Sequence, residues 1–283
     1  MTDIIKIVAD SSSDVTSLEN VAFASAPLKI ITSKKEYVDD EILDVEQMVG
    51  DLLENTEKTS TACPSVEDWL CAFGDAKYVF CVTITSGLSG SFNSASIAKS
   101  DYEEAYPDRR VFVIDSLSAG PELRLIIEKL QELIINGNDF DTMCDEIKEY
   151  QKHTGLLFML ESLKNLANNG RVSKLVASAA GILGIRLIGK ASDEGTLEPL
   201  VKKPGEKRAL PAFMDLLKKL GYNGGKIRIS HCLNEGAAKK LRDLILAEFS
   251  KAQVEINKTR GLCSFYAEKG GMLVGFEKKG CHT

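Results

Sequence analysis

The stretch FCVTITSGLSGSFNSA, residues 80–95, joins three kinds of sequence without a break. An apolar run rich in β-branched residues leads into small polar residues and glycines, and then into a pattern typical of a helix. Residues 4–14 and 111–120 show a similar order of an apolar run followed by small polar residues. Short, nearly continuous apolar runs are typical of strands buried on both faces of a parallel sheet. The alternation predicts βαβ units, and therefore an N-terminal α/β domain with a mainly parallel sheet.

The polar residues that follow these strands are expected at one edge of the sheet, where folds of this kind bind ligands. Helix N-termini offer unpaired N–H groups at that edge, and Ser and Thr hydroxyls add donors for a bound anion. The alternative is that the serines and aspartates only cap helices. Capping alone does not account for residues 87–91, because it does not require the two glycines that bracket Ser89. These glycines permit a ligand to approach the backbone around Gly90 and Ser91.

A second polar loop, residues 59–65, precedes another helical pattern, and Ser65 is expected to be the N-cap of that helix. Pro64 restricts its own backbone and that of Cys63, which favours a fixed position for the nearby Thr61 hydroxyl. The alternative for this segment is a capped turn with no ligand.

Charge and composition exclude several classes of partner. The 283 residues are 44% hydrophobic and 27% charged, with 35 Lys and Arg against 41 Asp and Glu and a net charge of −6. No long basic stripe is present, so nucleic acid and anionic membrane surfaces are poor partners. The first residues lack the pattern of a secretory leader, and no apolar run is long enough to span a bilayer. We therefore expect a soluble, cytoplasmic protein that is not integral to a membrane.

The sequence also predicts neither a metal nor a cofactor. The seven cysteines include no CxxC pair and are expected to be reduced, and the three histidines are scattered. No strand is followed by a phosphate-binding loop ending in Gly-Lys-Ser/Thr or by a dinucleotide fingerprint. One enzyme class stays open, because residues 87–91 approach the nucleophile elbow of α/β hydrolases. In that interpretation Ser89 is the nucleophile of a hydrolase acting on a lipid-like ester, with His153 or His231 as its base.

Short motifs along nearly the whole chain resemble those of the DegV family of bacterial fatty-acid-binding proteins. They occur in the family's order and approximate spacing: Asp10-Ser11, Pro27-Leu28, Tyr37-x-Asp39, Thr61-x-x-Pro64-Ser65, Leu88-Ser89-Gly90-Ser91, Ile114-Asp115-Ser116, and Leu163-x-x-Leu166 with Gly170-Arg171-Val172-Ser173.

The resemblance implies two domains, residues 1–152 and 153–283, the second a mixed α/β domain, with one long-chain fatty acid such as palmitate held in a tunnel between them. It implies that Thr61 and Ser89 bind the carboxylate, and we expect N–H groups around Gly90 and Ser91 to help. Family members of this kind bind the fatty acid without catalysis of their own, and some present it to a fatty-acid kinase. The resemblance places Arg171 at the surface that would contact that kinase.

Three positions depart from the family pattern. Ala62 stands where a serine is usual, Ser91 stands for a threonine, and Ala267 aligns with a histidine that lies beside the carboxylate in kinase-linked members. The last change predicts slow or absent acyl phosphate formation. The tunnel walls carry no motif, and the candidates are two apolar runs, residues 157–160 and 176–185, for which plain core packing is the alternative. Asp10 and Asp115 are expected to position loops, since their charges would repel a carboxylate.

Overall fold

The computed structural model describes residues 4–173 and 184–280. The strands within these ranges, in chain order, are β1 (Ile5–Asp10), β2 (Ala22–Ala26), β3 (Lys29–Ile31), β4 (Glu36–Val38), β5 (Ser60–Ala62), β6 (Tyr78–Thr83), β7 (Arg110–Asp115), β8 (Thr154–Leu160), β9 (Ile185–Ala191), β10 (Leu197–Pro204), β11 (Tyr222–His231), β12 (Gln253–Lys258) and β13 (Met272–Lys278). The helices are α1 (Val45–Glu54), α2 (Val66–Phe73), α3 (Ser91–Ala105), α4 (Pro121–Ile135), α5 (Phe140–Lys152), α6 (Lys164–Asn168), α7 (Gly205–Lys219), α8 (Glu235–Glu248) and α9 (Gly261–Ala267).

The N-terminal half contains the predicted parallel sheet, with strand order β2-β1-β6-β7 and parallel pairing throughout. The central strands β1 and β6 are largely buried on both faces, which is why their sequences are nearly continuous apolar runs. In β6, Phe80 and Val82 pack with α4 and α5, whereas Val79 and Cys81 pack with α2 and α3. Strand β2 is not predicted from the sequence, because its small residues give a weak strand signal.

The C-terminal half contains a mixed six-stranded sheet in the order β10-β9-β8-β13-β11-β12, which confirms the predicted mixed α/β class. The sequence also predicts a hairpin here, because residues 185–190 and 197–202 flank the turn residues Ser192-Asp193-Glu194-Gly195. This prediction is confirmed, since β9 and β10 pair antiparallel. One face of the sheet packs against α7 and α8. On the other face Phe158, Leu160 and Leu187 pack towards α1 and α9, and this face is turned to the N-terminal half.

A small antiparallel sheet, in the order β4-β3-β5, is an element that the sequence did not predict. It corrects the interpretation of residues 59–65 as a loop throughout, since Thr61 lies on β5 and pairs with Ile30 of β3. Strands of three residues are too short to show an alternating pattern. The predicted N-cap is confirmed: Ser65 accepts from the Asp68 N–H at the start of α2, and the Asp68 side chain accepts from the Ser65 N–H.

The two halves meet closely along α4. At Gly275 on β13, an added Cβ would lie 2.5 Å from the Glu122 nitrogen in the first turn of α4, so only glycine permits this approach. Further along α4, Glu128 forms an ion pair with Arg228 of β11 at 2.7 Å. The division into residues 1–152 and 153–283 stays a prediction, with α4 as the element that packs on both sheets.

Candidate functional site

A cavity of about 320 Å³ lies between the two halves. This volume is at the lower end of the range for small-molecule sites. Much of its wall is apolar and includes the side chains of Leu28, Ile84, Leu156, Phe158, Leu160 and Leu262. All six of these side chains are buried.

Strand β8 lines the cavity with one face only. Leu156, Phe158 and Leu160 point into it, while Leu157 and Met159 belong to the core on the opposite face of the sheet. The predicted wall at residues 157–160 is therefore half correct, because side chains alternate along a strand. Of the second predicted wall, residues 176–185, positions 176–183 lie outside the described residues. Opposite Phe158 is Gly189, where an added Cβ would collide with the aromatic ring.

Hydroxyl groups converge at one end of the cavity. The Thr61 Oγ1 and Tyr266 OH atoms share a hydrogen bond of 2.8 Å, although the two residues are 205 positions apart in sequence. Burial raises the pKa of Tyr266, while the Thr61 hydrogen bond and the nearby charge of Arg171 act against that rise. Both side chains are only half-buried, whereas the six apolar side chains are buried, so this part of the cavity lies nearer to the surface.

The loop with Ser89 and Gly90 supplies a further part of the same end. Ser89 is half-buried, and its hydroxyl accepts from the Ser91 N–H at 3.3 Å. An added Cβ at Gly90 would lie 3.2 Å from the Cys63 sulfur, another atom of the cavity wall. Gly87 has a different role from the one expected. A Cβ added at Gly87 would lie 2.9 Å from the carbonyl oxygen of Glu194. That glycine permits contact between the two halves of the protein.

The Ser91 hydroxyl points to a buried carboxylate. It donates to Asp10 Oδ2 at 2.6 Å, and the Ile84 N–H donates to the same oxygen at 2.8 Å. Burial raises the pKa of Asp10, and these hydrogen bonds lower it in part. Asp115 accepts from the Ser86 and Leu117 N–H groups at 3.1 Å. Both aspartates therefore hold the loops that follow the parallel strands, as their charges led us to expect.

Arg171 brings a positive charge to the hydroxyl end. Its side chain lines the cavity, donates from Nε to the Leu88 carbonyl at 3.1 Å, and also contacts the Asn169 carbonyl. Within residues 4–173 and 184–280, no Asp or Glu forms an ion pair with it. A half-buried guanidinium bound only by carbonyls can still attract an anion.

Neither of the two histidines proposed as the base for Ser89 is placed at the cavity in the described part of the chain. His153 lies beside Glu149 at 3.3 Å, and the Nδ1 atom of His231 accepts from the Asn234 N–H at 3.2 Å. The geometry therefore does not support the serine hydrolase alternative.

Comparisons with known proteins identify the family to which this fold and its cavity belong. A family model described as "Uncharacterised protein, DegV family" matches residues 4–279. The chain belongs to the DegV family. A DegV domain-containing protein of Streptococcus pneumoniae is 46% identical over 276 residues, which cover 96% of this chain and 98% of the relative.

Two solved structures are similar over almost their whole lengths. A DegV family protein from Eubacterium eligens, loaded with heptadecanoic acid, has a TM-score of 0.95 and 45% identity, covering 97% of this chain and 100% of its own. The fatty acid kinase (Fak) B3 protein of Streptococcus pneumoniae, loaded with linoleic acid, has a TM-score of 0.96 and 46% identity, covering 97% and 99%.

Sequence reasoning missed one member of this constellation, Tyr266. It lies on a helix of seven residues, next to Ala267, whose buried side chain also lines the cavity. The residue pattern around it shows only that the helix is apolar.

Among the described residues, no group of three or more His, Cys, Asp or Glu side chains is placed to bind a metal. In the same residues, every helix is too short or too polar to cross a bilayer.

Proposed function

We propose that this DegV protein binds one long-chain fatty acid, with the carboxylate at the hydroxyl end of the cavity and the tail between the two halves. The observation that carries the proposal is the lining of the cavity, in which hydroxyls and one cation stand beside a mainly apolar wall; Thr61, Tyr266 and Arg171 lie close together there. The fatty acids in the two similar solved structures support it.

The head group requires several donors, because an unpaired carboxylate in an apolar site is prohibitively costly. We assign this role to the hydroxyls of Thr61 and Ser89 and to backbone N–H groups at Gly90 and Ser91. Tyr266 and Arg171 supplement them. The Ser91 side chain donates to Asp10, and the Ser91 N–H donates to the Ser89 hydroxyl at 3.3 Å, so Ser91 would contribute to the ligand by sharing that N–H between Ser89 and the carboxylate.

The tail needs only apolar surface. Burial contributes about 0.8 kcal/mol per CH₂ group, so a tail of about 14 to 16 carbons gains roughly 10 to 12 kcal/mol before the entropic costs of binding. No cofactor is required for such binding. The six cysteines that the structure describes are free thiols, which supports a reducing, cytoplasmic location.

The test is to purify the protein and identify what it carries. Native mass spectrometry, followed by solvent extraction and gas chromatography, is expected to find one fatty acid of about 14 to 18 carbons per chain. Delipidated protein should bind added palmitate. A purified protein that carries no lipid and binds no palmitate would contradict the proposal, and labelling of Ser89 by a fluorophosphonate would favour the hydrolase instead.

We further propose that the bound carboxylate is presented to a fatty-acid kinase, which phosphorylates it. The half-buried positions of Thr61, Ser89 and Arg171 support this, since the head group would lie near the surface. The measurement is acyl phosphate formation with ATP and a kinase from the same organism. At equal fatty-acid occupancy, Arg171→Ala is expected to lower the rate, whereas Arg208→Ala, exposed on α7, should not.

The residue at position 267 gives a second arm of this experiment. Ala267 supplies no polar group, so the parent is expected to turn over slowly and Ala267→His to turn over faster. Fast turnover by the parent would mean that another group replaces the histidine. The nearest hydroxyl in sequence is that of Tyr266. Equal rates for the parent and Arg171→Ala would contradict the role of Arg171.

A further inference from the structure

The first turn of α9 is held by carboxylates from the opposite half of the protein. A helix N-terminus leaves its first N–H groups without partners inside the helix, and a nearby side chain usually caps them. In α9 no such local side-chain cap is present. Instead, Asp14 Oδ1 accepts from the Arg260 N–H at 2.7 Å. Asp39 accepts from the Gly261 and Leu262 N–H groups, at 2.8 Å each.

This contact is buried and tightly packed. Asp39 is 1% exposed and Asp14 is 8% exposed. An added Cβ at Gly261 would lie 2.6 Å from Asp39 Oδ1 and 2.8 Å from a Leu43 methyl carbon, so the helix cannot approach in this way with any larger residue. Buried carboxylates are tolerated only when they are hydrogen-bonded, which makes the three N–H groups and the two aspartates mutually dependent.

The same helix forms part of the cavity. Leu262, Cys263, Tyr266 and Ala267 all line it, and Tyr266 meets Thr61 across the junction of the two halves. Thr61 belongs to the N-terminal half, as do both aspartates. The carboxylates therefore fix the position of the tyrosine relative to the half that carries the threonine.

We propose that Asp39, assisted by Asp14, is a positioning residue for the fatty-acid head group and acts by docking α9 so that Tyr266 lies at the carboxylate. The inference rests on the proposed function. Asp39 itself touches backbone N–H groups of α9 and does not line the cavity in the described residues.

A double-mutant cycle tests the inference. Asp39→Asn keeps the shape but turns one acceptor oxygen into an amide that cannot accept, so one N–H of α9 loses its partner. We expect palmitate affinity to fall about tenfold in the parent background, and less than about twofold in the Tyr266→Phe background. Methyl palmitate has no carboxylate, and its affinity should be unchanged by Asp39→Asn.

The matched control is Asp139→Asn. Asp139 also caps a helix, accepting from the Asp141 and Thr142 N–H groups of α5, but it is exposed and α5 does not contribute to the described cavity wall. Its replacement should leave palmitate affinity unchanged. If Asp39→Asn does not fold, Gly261→Ala disturbs the same contact from the other side and takes its place in the cycle.

The outcomes separate the two proposals. If the parent binds no palmitate, the proposed function is wrong. If the parent binds palmitate, three results overturn the positioning role: unchanged affinity in Asp39→Asn, an equal loss in the Tyr266→Phe background, or an equal loss for methyl palmitate.

Discussion

At the scale of single residues, the site depends on hydroxyls whose other hydrogen bonds are already arranged. Thr61 is held by Tyr266, and Ser89 by the Ser91 N–H, so both oxygens are oriented before a ligand arrives. Preorganised donors lose little side-chain entropy on binding. The hydroxyl of Ser91, in contrast, is used by Asp10 inside the protein.

Removing either hydroxyl is expected to weaken fatty-acid binding. Thr61→Val or Ser89→Ala removes one hydrogen bond to a charged group, worth roughly 1.5 to 3 kcal/mol, so palmitate affinity should fall about tenfold to a hundredfold. Isothermal titration calorimetry measures the loss, and circular dichroism checks the fold. Ser96→Ala is the control, since that hydroxyl only donates to the Phe92 carbonyl within α3. Unchanged affinity in both variants would place the carboxylate elsewhere.

Asp14 is expected to give the protein a specific dependence of stability on pH. Burial raises its pKa from 3.8 to about 7, and the Arg260 N–H opposes that rise. Between these values the folded state binds a proton that the unfolded state does not, so stability increases as the pH falls from about 7 towards 4.

The measurement compares the parent with Asp14→Asn in urea unfolding from pH 8 to pH 5. As the pH falls, the free energy of unfolding of the parent should rise relative to that of the variant, by at most about 1.4 kcal/mol for each pH unit. Asp139→Asn is the control, because hydrogen bonds from Thr142 lower the pKa of Asp139, and its effect should be constant over this range. A constant difference for Asp14→Asn would show that its pKa is not raised in the folded protein.

At the scale of elements, the cavity is assembled from parts of strands and turns that belong to different sheets. The turn between β9 and β10 packs against the loop after β6, where Gly195 lies directly on the Thr85 side chain. The Thr85 backbone in turn accepts from the Leu88 and Ser89 N–H groups. The C-terminal hairpin therefore supports the loop that carries Ser89.

A methyl group at Gly195 is expected to separate these elements. Gly195→Ala would collide with Thr85 and lie 3.0 Å from the Leu117 Cα. Gly137→Ala is a matched control, since both glycines have a left-handed backbone, with φ of +72° and +76°, but nothing lies within 4 Å at Gly137. Both variants lose roughly 1 to 2 kcal/mol of stability, because alanine is strained in a left-handed backbone conformation. Gly195→Ala should lose more stability in thermal unfolding and release fatty acid faster in stopped-flow measurements, and equal behaviour of the two variants would contradict this.

At the scale of the whole molecule, the ligand would lie between two halves that also contact each other directly. The ion pair between Glu128 and Arg228 and the capping of α9 by Asp14 and Asp39 hold the halves together without it. A fatty acid in the cavity adds apolar contacts on both sides, so binding and folding are linked.

Removal of the lipid is expected to lower the melting temperature. A ligand at a hundredfold excess over its Kd stabilises by about 2.7 kcal/mol, which corresponds to a rise of roughly 5 to 10 °C in Tm for a chain of this size. Differential scanning calorimetry of delipidated protein, with and without palmitate, checks the value. Octanoate at the same concentration should give a smaller shift, because its shorter tail buries less apolar surface. Equal shifts would mean that the tail does not occupy the cavity.

Local sequence patterns determined three of the four strands of the parallel sheet, namely β1, β6 and β7, together with the capped start of α2, the β9–β10 hairpin and the polar loop with Ser89. Each has a signal within a few residues: a continuous apolar run, a capping box, a turn between two strands, or a pair of glycines. The family motifs extended this to Thr61 and to a fatty acid as the ligand. Patterns of three residues carry no period, which is why β3, β4 and β5 were not predicted.

Only the tertiary structure decided which side chains share the cavity. Thr61 and Tyr266 are 205 positions apart, and Asp39 and Gly261 are 222 apart, so no local pattern connects them. Along β8, the sequence shows an apolar strand but not which face turns to the ligand and which to the core. The physical reason is that propensity and capping act between neighbours in the chain, whereas a binding site is set by the packing of faces that meet only after folding.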